Sequence, residues 1–127
     1  MNTFKLEYVW IGGTEELRSK TKIIKTDKYE LILNDSNEIS NWNYDGSSTN
    51  QAFGNDSEII IKPVAIYNNP FNNYPNINNL LILCDTWLPN NEPHPTNTRM
   101  IAKKIFDKNL NQEPWFGMEQ EFFAFQN

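Results

Sequence analysis

The stretch "FKLEYVWIGGTEELRSKTKII", Phe4 to Ile24, decides the fold. It alternates around β-branched and aromatic residues as far as Ile11, meets a turn at Gly12-Gly13, and resumes in "LRSKTKII", a pattern that predicts a β-hairpin. Working outward, "EIIIKPVAIY", Glu58 to Tyr67, reads as a further strand. Pro63 within it cannot donate to a ladder and predicts an edge or a bulge. "NLLILCDTW", Asn79 to Trp87, is nearly continuous in apolar residues and predicts a strand buried on both faces. Between these runs, Tyr29 to Ser57 shows no sustained period and ends in a loop rich in Gly, Ser and Asn.

The 127 residues suffice for one ordinary domain, or for a small domain plus a piece of another. With 39% hydrophobic and 13% aromatic residues the composition is globular. The apolar runs are too short to span a bilayer, and "MNTFKLEYVW" lacks a basic segment leading into an apolar run, so a soluble, cytoplasmic protein with no membrane partner is expected. A net charge of −5 with only Arg18 and Arg99 as arginines argues against nucleic-acid binding through phosphate contacts. The single cysteine, Cys84, forms no internal disulfide and reads as a small buried apolar side chain. The asparagine-rich stretch from Tyr67 to Asn79, broken by Pro70 and Pro75, reads as a loop.

Pro89, Pro93 and Pro95 mark a boundary or linker. A helix follows, capped by Thr96 or Asn97, with Met100, Ile101 and Ile105 on its apolar stripe and Lys103, Lys104 and Lys108 facing outward. The last run, "WFGMEQEFFAF", Trp115 to Phe125, predicts a strand. Extended backbone would set Glu119 and Glu121 on one side, about 6–7 Å apart, a spacing that suits carboxylates gripping a cation. Alternating acids are also ordinary on a solvated strand face. Here, however, the row continues into Phe123 and Phe125, and carboxylates on an aromatic-lined face cost roughly several kcal/mol without a compensating cation or donor. Two carboxylates remain too few for a catalytic metal site.

Asp45, in "NYDGSSTNQ", sits beside a glycine and three hydroxyls; it can cap its own backbone amides, or do electrostatic or general-base work on an amine. His94, between prolines, reads as a solvated loop residue. Trp10, Trp42, Trp87 and Trp115 read as packing, and Trp115 could also face a nucleotide. No glycine-rich phosphate loop, Cys/His cluster or Ser/His/Asp arrangement occurs. From the residues alone the result is a mixed α/β chain with a candidate cation site.

Four motifs in order carry a resemblance: "YVWIGGTEELRSKTKII" from Tyr8, "WNYDGSSTNQA" from Trp42, "PTNTR" from Pro95 and "PWFGMEQEF" from Pro114. Together they resemble the N-terminal third of a eukaryotic-type glutamine synthetase, the similarity running from about Leu6 to Phe123. The resemblance implies an α+β fold, with a β-grasp N-terminal domain over about residues 3–90 followed, over 91–127, by the first helix and strand of the catalytic domain. It implies a reaction in which ATP phosphorylates the γ-carboxylate of glutamate and ammonia attacks the acyl phosphate, with Mg²⁺ or Mn²⁺ neutralising the moving charge. By motif, Glu119 and Glu121 match metal-binding glutamates, one of them near the nucleotide, and Trp115 matches a residue contacting ATP. Asp45 matches the aspartate that binds ammonium and removes its proton across a subunit interface, which implies a homo-oligomer or pairing with full-length synthetase subunits.

Gly12 and Lys22 depart from the family, which commonly has aspartate and arginine there. The family's later metal ligands and phosphate-binding arginines would follow Asn127. The polypeptide is therefore expected to be inactive alone and to associate through its last strand. A non-catalytic subunit that docks on an intact synthetase, and a remnant without a role, are the alternative expectations.

Overall fold

In the computed structural model, residues 1–33, 37–71 and 74–126 are described, so part of the stretch without a sustained period, at 34–36, and part of the asparagine-rich loop, at 72–73, lie outside the described residues. β1 (Asn2–Ile11) and β2 (Leu17–Thr26) form the expected hairpin, with Trp10 opposite Arg18 and Phe4 opposite Ile24. β3 (Trp42–Asp45), β4 (Glu58–Asn68) and β5 (Ile77–Trp87) complete one sheet in the order β2-β1-β5-β4-β3. Only β1 and β5 run parallel, with Leu6 beside Leu80; the other neighbours are antiparallel. One helix, α1 (Thr98–Phe106), follows the sheet. The fold is mixed α+β, as expected.

Alternation decides which side chains go inside. Phe4, Leu6, Tyr8 and Trp10 of β1 and Leu80, Ile82 and Cys84 of β5 point to the same face, where Leu31, Ile39 and Ile61 join them in one core. Each such side chain stabilises the fold by roughly 1.5–3 kcal/mol through burial. Cys84 is a buried member of this cluster, as its apolar setting suggested, and burial pushes its thiol up to about 12. The expectation that β5 is buried on both faces is corrected: Leu81 and Leu83 are only half-buried on the side away from the core. A one-sided antiparallel neighbour explains the difference, since such sheets need bury only one face. Pro63 marks a bulge, at a point of β4 beyond the Glu58–Ile61 stretch that β3 pairs. The register between β4 and β5 shifts between Pro63 and Ala65, while β4 lies between β5 and β3.

The sheet curls until its two edge strands approach across the core. Trp10 stacks on Tyr44 with ring centroids 4.4 Å apart, and Tyr8 meets Trp42 edge-on at 5.4 Å. Basic side chains of β2 close the seam: Lys20 Nζ lies 3.7 Å over the Trp42 ring and donates to Asn43 O at 2.7 Å, and Arg18 Nη2 donates to Ser48 O at 3.0 Å. Burial lowers the ammonium pKa of Lys20 and Lys22 in this seam. β3 itself was not anticipated from sequence. Its four residues are too short to show a period, and aromatic contact with β1 holds them in place.

Two expectations for the rest of the chain are overturned. His94 is not solvated: it is 7% exposed, and its backbone N–H bonds Thr86 O on β5 at 3.1 Å. The run from Trp115 to Phe125 forms no strand and is exposed throughout. An isolated strand leaves its backbone groups unpaired, and among the described residues none pairs with this one. Asn97 caps α1, its side chain accepting from Met100 N at 3.1 Å. No residue of α1 is buried, and Ile101 and Ile105 stand open to solvent.

Candidate functional site

Asp45 ends β3 and caps a single 3₁₀ turn, Gly46–Thr49. Its Oδ1 accepts from the Ser47 hydroxyl at 2.6 Å and from Ser47 N–H at 2.9 Å, and these bonds, hydroxyl first, with a further one from Ser57, hold the carboxyl below its usual range. The side chain is exposed and ionised at neutral pH. It is thus both the backbone cap read from the sequence and a negative charge presented at the surface.

The loop behind Asp45 is closed on itself. Gly46 O accepts from Gln51 N–H at 2.9 Å and Ala52 N–H at 3.1 Å. Gly13, in the β1–β2 turn, packs against its far side and donates to Thr49 O at 2.7 Å. No Cβ fits there: one built on Gly13 would meet Asn50 O at 2.4 Å and Thr49 O at 2.7 Å. Gln51 is buried, and its amide is fully used, accepting from the Tyr44 and Thr49 hydroxyls and donating to Thr96 Oγ1 at 2.9 Å and to Ile11 O at 3.4 Å. The same residue therefore joins β3, the Asp45 loop and the segment that leads into α1. Sequence reading passed over it because a Gln in a polar loop carries no periodic signal.

Glu119, Glu121 and Trp115 lie elsewhere. All three are exposed on the segment without regular structure, Trp115 at 95%. Among the described residues no hydrogen bond or ion pair reaches either carboxylate group, and no group of three His, Cys, Asp or Glu side chains is arranged to hold a metal ion. The segment touches α1 through Phe116, whose ring lies 5.4 Å from that of Phe106. The structure thus fixes Asp45 and leaves Trp115, Glu119 and Glu121 on a separate, unpacked stretch.

No family model matches the chain. Over 123 residues, however, it is 50% identical to the chloroplastic/mitochondrial glutamine synthetase of Arabidopsis thaliana, covering 94% of this chain and 27% of that protein. It belongs to the glutamine synthetase family. The chloroplastic glutamine synthetase of Oryza sativa subsp. japonica is 47% identical over 123 residues, with 94% of this chain and 27% of the relative covered. A glutamine synthetase nodule isozyme of Lupinus angustifolius is 46% identical, with 94% and 36% covered. The chain spans about a third or less of the length of these curated relatives. Among the described residues no helix is long and apolar enough to cross a membrane.

Proposed function

We propose that this chain serves glutamine synthesis, the ATP-dependent ligation of ammonia to glutamate through a γ-glutamyl phosphate, as the β-grasp domain (residues 3–90) and the first part of the catalytic domain (from 91). The observation that carries this reading is the likeness to glutamine synthetases over 123 of the 127 residues. In this role Asp45 binds ammonium in a neighbouring subunit's site and takes its proton. An exposed carboxylate held in its ionised form by Ser47 suits the binding of ammonium, since it attracts the cation and accepts a hydrogen bond from it. Trp115 packs against the nucleotide and Glu119 and Glu121 bind Mg²⁺ or Mn²⁺. As they stand, those two glutamates do not form a complete site for such an ion. The exposure of Ile101, Ile105, Phe122 and Phe123 supports completion by further polypeptide, since large apolar side chains open to solvent ordinarily mark an interaction surface.

The test is ATP-dependent γ-glutamyl hydroxamate formation by the purified chain, alone and mixed with a polypeptide supplying the part of a full-length relative that this chain does not match. Activity is expected only in the mixture, and Asp45→Asn should lower it by about a hundredfold or more, the usual scale for a lost general base. Silence in the mixture, with both polypeptides shown to be folded, would overturn the reading.

A further inference from the structure

His94 is the only histidine of the chain, and its ring is bonded at both nitrogens to uncharged partners. Nε2 lies 2.6 Å from Gln51 O, and a carbonyl only accepts, so Nε2 carries the proton. Nδ1 faces Thr96 N–H at 3.1 Å, a donor that cannot reverse, and Thr96 Oγ1 at 2.8 Å. Nδ1 is therefore an acceptor, and the ring is the neutral Nε2–H tautomer. The bonds form a closed circuit: Gln51 Nε2 donates to the Thr96 hydroxyl, that hydroxyl to His94 Nδ1, and His94 Nε2 to the backbone carbonyl of Gln51.

Asp85 is paired with Arg99 at 3.7 Å, Asp45 is engaged in its own turn, and none of the ring's hydrogen bonds goes to a carboxylate. A second proton on Nδ1 would set donor against donor at Thr96 N–H, with no anion bonded to the ring to offset the charge.

We propose that His94 is a positioning residue for the Asp45 loop: as the neutral Nε2–H tautomer it ties Gln51, and with it the turn that presents Asp45, to the segment entering α1. This deepens the reading of Asp45 given above. The test does not depend on that reading, because it observes the ring and the loop without any assay of glutamine formation. Long-range proton–nitrogen correlation on the 127-residue chain should show one neutral Nε2–H imidazole at pH 7.5. His94→Phe should speed hydrogen exchange at the Gln51 and Ala52 amides at least about tenfold, and His94→Gln, which can donate and accept, should restore most of the protection. An Nδ1–H tautomer at neutral pH, or Gln51 and Ala52 amides that exchange no faster in His94→Phe, would overturn the proposal. Should His94→Phe fail to fold, the tautomer observed in the unmodified chain decides by itself.

Discussion

Phe4 to Trp10 and Phe116 to Phe125 are both aromatic-rich runs that read as strands, yet Leu6 and Tyr8 are 0% exposed while Phe123 is 89% exposed. Propensity does not separate them. The first run has β2 on one side and, as far as Val9, β5 on the other, so its backbone is laddered on both sides and every second side chain finds the core. The second has neither neighbour among the described residues, and an apolar strand without a sheet has nothing to bury its side chains against. Strand formation here is a property of the neighbours more than of the segment.

The sharpest way to break that comparison is to remove equivalent bulk from each run. Leu6→Ala deletes a fully buried side chain and should cost about 2–5 kcal/mol of unfolding free energy. Phe122→Ala, at a position 82% exposed, should stay within about 0.5 kcal/mol. Urea unfolding followed by tryptophan fluorescence measures both. Similar losses at the two sites would mean that the terminal run is packed in solution.

A second comparison sets two glycines side by side. Gly13 is held against backbone carbonyls that cannot retreat, whereas nothing lies within 4 Å of a Cβ on Gly117. Gly13→Ala should therefore destabilise by about 1–3 kcal/mol, the scale of overpacking, and loosen the Asp45 loop with it. Gly117→Ala should leave the thermal midpoint unchanged. An unshifted midpoint in Gly13→Ala would show that the β1–β2 turn and the Asp45 loop are not in contact.

These contrasts explain what the sequence could and could not tell. The hairpin, β4 and β5 were legible because alternation, the Gly12-Gly13 turn and Pro63 are local signals with local causes. Asp45 was legible as a cap because its partner, Ser47, is two residues away. His94 was misread because its partners at Gln51 and Thr86 are set by the curl of the sheet, which no window of neighbouring residues records. Glu119 and Glu121 were legible as a carboxylate pair, but the extended geometry assumed for them depends on flanking strands that are not among the described elements.

The smallest effect expected concerns charge within the ordered region. Glu16 accepts from Thr14 Oγ1 at 2.6 Å and Thr14 N–H at 3.0 Å, and pairs with Arg18 Nε at 2.9 Å; with Thr14 the leading cause, its carboxyl falls to about 2. The unfolded chain holds this group near the ordinary value of about 4.3. Because the folded value is the lower one, the unfolded state takes up a proton first as pH falls. The stabilisation from ionised Glu16 is thus complete above the unfolded value, declines below it, and is gone once pH has passed through the folded value of about 2. Glu16→Gln should therefore be less stable than the unmodified chain at pH 6, and the gap should narrow steadily between pH 5 and pH 2, as read from urea midpoints at each pH. The partners sit at an exposed turn, so the gap is small, and raised salt should shrink only the part owed to Arg18, leaving the Thr14 bonds. A gap that widened with acid would mean that Glu16 is held protonated, and would remove the carboxylate from the ordering of this turn.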